Sequence, residues 1–207
     1  MASDTDPRFH RDKFLVNQKH LSIKEKYYIY DERDKELFFV ERPFKFLGRR
    51  DITVFEDEPK KVPVLSINQD YYWELWNRNY TVVDGAGHTI AKLSRSNLAS
   101  LFRRSWRIMD SKGRLVALAR EDSPFLAFIR RVTDWIPLIN MIGLLIKTDF
   151  HFVRRDDAGN ECKIGTFTRR MTLADKYLLD LSEDPGHTLD RRTAVAVGIL
   201  LDTGEKR

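Results

Sequence analysis

Residues 193–201 read TAVAVGILL, carry no charge on any face, and stand between Asp190-Arg191-Arg192 and Asp202. A helix that is apolar all round has to be buried all round. The run is far shorter than the roughly 18–20 apolar residues that span a bilayer, so the protein itself must enclose it. On pattern alone it could also be a buried strand, because it is rich in β-branched residues. As a helix over about 190–202, with Asp190 as its cap, it puts Ala194, Val195, Val197, Gly198, Leu200 and Leu201 into the core. Ala194, Ala196 and Gly198 keep that helix narrow. The other apolar stretch, 135–146, is broken by Pro137, Asn140 and Gly143.

The rest of the chain reads mostly as strands. Short runs rich in aromatic and β-branched residues recur at 27–31, 37–41, 51–55, 62–67, 71–76, 80–83, 88–93, 106–109, 114–119, 150–154, 161–168 and 176–181. Residues 1–20 read as a flexible N-terminal arm, and 21–204 as one domain, a length that all-β barrels commonly use. An internal repeat marks the turns: an apolar run, then Asp-x-x-Gly or a close variant, then another run. Its copies start at Asp84, Asp110 and Asp156, and Asp31 starts a fourth that lacks the glycine. Asp bonds its own backbone two residues on and Gly accepts positive φ, so these are hairpin turns and not cation loops. Two further short helices are expected, at 94–104 and from Ser123-Pro124 onward, where Phe125, Phe128, Ile129 and Val132 line one face.

A closed barrel of about 12 strands leaves more room than its side chains fill, since about 8 strands already enclose a packed interior. A helix with its side chains is about 10 Å across, and residues 193–201 supply it. The expected fold is therefore mainly β: a closed barrel of about 12 strands around a buried C-terminal helix.

With these features the chain resembles the tubby-like superfamily, and most closely its phospholipid scramblase and LURP-one-related branches. The residues that carry the resemblance are the early strand Tyr28-Ile29-Tyr30-Asp31, the repeated Asp turns, the aromatic strand starts at Tyr80 and Trp106, and the ending Asp190-Arg191-Arg192 before 193–201 and Asp202. It covers roughly residues 20–203. The resemblance implies a 12-stranded barrel threaded by a hydrophobic helix. Its members bind phosphoinositides, scramble phospholipids, or act in transcription or defence, so it specifies fold more closely than function. The Pro-rich region and the palmitoylated Cys-rich stretch of scramblases have no counterpart here, and lasting membrane attachment usually takes two such signals.

Chemistry is sparse. There is no Gly-x-Ser-x-Gly elbow, phosphate-binding glycine loop or His-Glu-x-x-His. No catalytic residue, metal or cofactor is expected, and the chain does not read as an enzyme. Cys162 is the single cysteine. It allows no intrachain disulfide, fits a reducing compartment, and reads as a small core hydrophobe in its strand. Asp149 and His151 read as a surface pair. Residues 1–13 carry no apolar signal segment.

Lys and Arg number 36 against 31 Asp and Glu, a formal net charge of +5. That excess tilts toward anionic partners without demanding one. The basic groups of interest are Arg103, Arg104, Arg130 and Arg131, at the ends of the two expected short helices. The second helix leads into Trp135, Ile136, Leu138 and Ile139, and a basic helix followed by such a loop has the makings of an interfacial membrane contact. Folded over, 133–147 would instead cap one barrel end. The expected function is a non-enzymatic module on phospholipid or an anionic membrane surface, with a scramblase-like role as its extension. The expected location is cytoplasmic, peripheral on the inner membrane face. The rivals are a nucleic-acid-binding or transcription-related protein and a structural partner-binding barrel. Against nucleic acid stands the lack of a helix-turn-helix, zinc-finger or stacking signature.

Overall fold

Alternating burial sorts each strand into an inner and an outer face. In a computed structural model, which describes residues 6–19, 25–42, 51–59, 62–70, 77–96, 105–121, 149–156, 158–170 and 176–205, the inner faces meet around one helix. The strands are β1 (Lys13–Lys19), β2 (Glu25–Tyr30), β3 (Glu36–Arg42), β4 (Ile52–Phe55), β5 (Pro63–Gln69) and β6 (Asn77–Asp84). They continue as β7 (Thr89–Ser96), β8 (Ser105–Asp110), β9 (Leu115–Glu121), β10 (Phe150–Arg155), β11 (Glu161–Arg170) and β12 (Lys176–Asp180). Each pairs antiparallel with its sequence neighbour, and β1 closes the ring against β12. Closure leaves no edge strand to template aggregation. Among the described residues there is one α-helix, α1 (Arg191–Glu205).

The twelve-stranded barrel with its apolar helix is the expected architecture, but the strands are not all the expected ones. Residues 13–19 are no loose arm. Phe14 and Val16 are fully buried, and Leu15–Leu178 and Leu15–Tyr30 are register partners on either side of β1. The signal is a two-position alternation diluted by Asn17, Gln18 and Lys13, which lie on the same short run. A single turn of 3-10 helix, Pro7–Phe9, precedes it, and Phe9 stacks on Phe38 with ring centroids 4.4 Å apart. The expected strand at 71–76 lies outside the described residues. So do the helix expected from 123 and most of that at 94–104, whose first residues, 94–96, are instead the end of β7.

The Asp repeat builds its turns as the chemistry requires. In the copies at Asp84 and Asp110, Oδ1 accepts from the backbone N–H groups two and four residues on, at 2.8–3.0 Å. Gly87, Gly113 and Gly159 sit at φ +88°, +80° and +84°. The copy without glycine keeps the same bonds from Arg33 and Lys35 to Asp31, and Asp34 takes the left-handed position at φ +57°. Asn and Asp tolerate that conformation better than other side chains.

α1 runs up the barrel axis. Asp190 Oδ1 accepts from the Arg192 N–H at 2.8 Å, the N-cap bond. Ala194, Val195, Ala196, Val197 and Ile199 have no exposed surface, and Leu200 and Leu201 have 3% or less. Gly198 is buried too, and a Cβ there would come 3.1 Å from Phe167 Cε2. Phe167 cannot easily yield, because it stacks on Tyr177 at 5.0 Å and 3°. Gly198 is thus set by close approach of helix and wall.

Outside the barrel, Tyr28, Phe39 and Phe55 form an aromatic row across β2, β3 and β4, with Tyr28–Phe39 centroids 5.3 Å apart. The Tyr28 hydroxyl donates to Glu58 Oε2 at 2.7 Å, and that bond, with burial, pushes its phenol up to about 12. A raised tyrosine pKa stabilises the fold fully below the unfolded value, about 10, and the contribution is lost as pH rises from there through 12. Tyr28→Phe should remove a tyrosine that ionises late and flatten that alkaline loss of stability. Identical tyrosinate absorbance titrations for the two proteins would rule this out.

Candidate functional site

Antiparallel order gives the barrel two unlike ends. The turns that begin at Asp31, Asp84, Asp110 and Asp156 all lie at one of them, the turn end. Residues 181–190 lead from β12 into α1 there, and they reuse the repeat in disguise. The Asp184 carboxylate accepts from the Thr188 N–H at 3.0 Å, and His187 takes the left-handed position at φ +48°. Because His187 stands where the repeat has glycine and no strand follows, the pattern is hard to see in sequence.

Arg191 locks this end. Its side chain is 4% exposed, with Nη1 2.8 Å from Asp184 Oδ2 and Nη2 2.6 Å from Asp12 Oδ1. It also donates to the carbonyls of Asp184 and Leu189. Burial raises the pKa of Asp184, but bonds from Thr188, Leu189 and Arg191 outweigh it and hold the carboxyl below its ordinary value. The Leu181 N–H donates to the Asp12 carbonyl at 2.8 Å, so Arg191 ties the first strand, the last strand and the helix together.

The other end, the connection end, is where β7 stops at Ser96 and β8 starts at Ser105, and where β9 stops at Glu121 and β10 starts at Phe150. The chain between those strand ends carries Arg103, Arg104, Arg130, Arg131, Trp135, Ile136, Leu138 and Ile139. All eight lie outside the described residues. Residues that sequence reading passed over stand at the rim itself. Arg78 and Arg95 are register partners two residues beyond the inward pair Tyr80–Leu93, so they share its inner face. The Arg95 guanidinium lies 5.8 Å from the ring centroid of Trp106, in cation–π range. Arg169 partners Tyr177, again on the inner face. The buried acids nearest this end of β9 and α1 are Glu121, 3% exposed, and Asp202, fully buried. Two arginines directly opposite each other are unfavourable without compensating charge. Alternation places them, since Arg78 lies two residues before Tyr80 and Arg95 two after Leu93, and neither has a basic neighbour in sequence to draw attention to it.

Two expectations about single residues resolve differently. Cys162 lies in β11 but is exposed, and it is not part of the core. Ile164 is the extra residue of a β-bulge in β11, opposite Phe152 and Val153, and Cys162 lies beyond it at the exposed turn end of the strand. Asp149 and His151 are half-buried. Among the described residues no three His, Cys, Asp or Glu side chains come together to hold a metal ion, and no helix is long and apolar enough to cross a membrane. Compared with known proteins, the chain matches no family model and no curated protein.

Proposed function

We propose that this protein is a non-enzymatic module of the tubby-like, scramblase and LURP-one-related kind, and that its connection end binds anionic phospholipid headgroups at a cytoplasmic membrane face. The observation that carries the reading is the strand order. The β7–β8 and β9–β10 connections begin and finish at one end of the barrel. All four arginines, Arg103, Arg104, Arg130 and Arg131, belong to those connections, as do Trp135, Ile136, Leu138 and Ile139. Arg78, Arg95 and Arg169 stand at the adjoining rim. The twelve-stranded barrel around an apolar helix is the fold that the family resemblance implies.

Each arginine near an anionic surface contributes about 1 kcal/mol, so four give at most about 4 kcal/mol, roughly a thousandfold in affinity. The apolar side chains add the rest, and the attachment is reversible. Replacing Arg130 and Arg131 by Glu should abolish co-sedimentation with phosphatidylserine vesicles while circular dichroism stays that of the wild type. Trp135→Ala should weaken binding less and make what remains more salt-sensitive. Neutral vesicles should bind poorly. If the wild-type protein ignores anionic vesicles at low salt, the lipid reading fails and a partner-binding barrel replaces it. Retention of a duplex DNA that falls steeply with salt would instead favour nucleic acid.

A further inference from the structure

At the turn end β9 and β10 diverge. Their ladder stops at Val153–Leu118, although β9 stays paired with β8 as far as Leu115 and β10 with β11 as far as Arg155–Glu161. The bulge opposite Phe152 and Val153 adds Ile164 to β11, and beyond it the β10–β11 hairpin parts from β9. Between the two hairpins lies a cleft of about 240 Å³, walled on one side by Leu115, Val116 and Leu118 and on the other by Arg154, with Arg155 and Glu161 also lining it. Leu115 is 48% exposed, so its apolar surface lacks cover.

The charges here do not balance. Glu161 is shared between Arg120, at 2.8 Å, and Arg155, at 3.8 Å. Arg154 has no acidic partner among the described residues, and its Nε is buried without a hydrogen-bond acceptor. A half-buried guanidinium without an acidic partner, set beside an aliphatic wall, is suited to one planar anion carrying an apolar arm. A carboxylate matches the guanidinium fork with two parallel bonds. Glu161, close by, disfavours a second negative charge on the ligand. The volume is below the roughly 300 Å³ at which drug-sized sites begin, so the arm is short.

We propose that this cleft binds a small aliphatic monocarboxylate, with its carboxylate on Arg154 and its alkyl arm against Leu115, Val116 and Leu118. The site is at the end of the barrel opposite the proposed membrane contact, and neither reading depends on the other.

Titrating butyrate, pentanoate and hexanoate into the full chain, followed by calorimetry or amide chemical shifts, tests the assignment. Each added methylene should tighten binding roughly fourfold, the equivalent of about 0.8 kcal/mol, until the arm outgrows the cleft. Hexanol should not saturate, and hexyl phosphate should bind more weakly than hexanoate. Arg154→Met should abolish hexanoate binding, and Arg154→Lys should weaken it because the fork is lost. Leu115→Ser, at an exposed position, should leave the fold unchanged and flatten the chain-length series, so the test survives even if the Arg154 variants fold poorly. The Arg130→Glu, Arg131→Glu protein should bind hexanoate as the wild type does. No saturation by hexanoate, equal binding by Arg154→Met, or tighter binding of hexyl phosphate would overturn the proposal.

Discussion

Val197→Asp should leave the chain without a cooperative unfolding transition. Val197 is on the buried axial helix and has no exposed surface, and its neighbours Ala194, Ala196, Leu200 and Leu201 are buried and apolar. A carboxylate there meets no donor. Burying an unpaired charge costs several kcal/mol even when the group neutralises itself by taking up a proton, and a whole domain is stable by only about 5–15 kcal/mol. Urea unfolding followed by near-ultraviolet circular dichroism checks this. A sharp transition at the wild-type midpoint would mean that the helix is not the core.

Removing Asp184 should be the next most damaging change. Asp184 is 3% exposed and receives bonds from Arg191, Thr188 and Leu189. Asp184→Ala leaves the buried Arg191 with Asp12 as its one carboxylate partner, and the Asp12 side chain is 41% exposed and solvated by water. Breaking a buried pair by deleting one partner typically costs about 3–5 kcal/mol. Asp184→Asn, which keeps an acceptor for Thr188, should cost less. The sign with pH follows from the lowered pKa of Asp184. Its contribution is fully present above the unfolded value, about 4, and is lost as pH falls through the lower folded value. The wild type should therefore lose stability in that acidic window in a way that Asp184→Asn does not. Equal acid sensitivity of the two proteins would show that the carboxylate is not what holds this end.

The architecture was readable because its two strongest demands are local and blunt. An uncharged helix needs a container, and repeated Asp turns between aromatic runs supply one. What escaped was governed by geometry that no short window contains. Lys13–Lys19 is a strand because both β2 and β12 offer it a ladder, and β12 is more than 150 residues away in sequence. Cys162 is exposed at the turn end of β11, beyond a bulge in its own strand. Arg78 and Arg95 face inward only by virtue of their register with Tyr80 and Leu93. The divergence of β9 from β10, and with it the cleft around Arg154, leaves no trace in composition or spacing.

The strand order also dictates when the molecule can become itself during synthesis. Every ladder but one joins neighbours in sequence and can zip up as its hairpin is made. The exception joins residues 13–17 to 176–180, and the axial helix comes later still, from Arg191 on. Non-local closure is the slow step in folding. Until the last strand and the helix have been translated, the growing meander is an unclosed ribbon. Phe38, Phe150, Phe152 and Phe167, all interior in the finished barrel, have no helix to pack against in that interval. A nascent chain of this kind depends on shelter from its neighbours on the ribosome more than a domain that can fold from its first half.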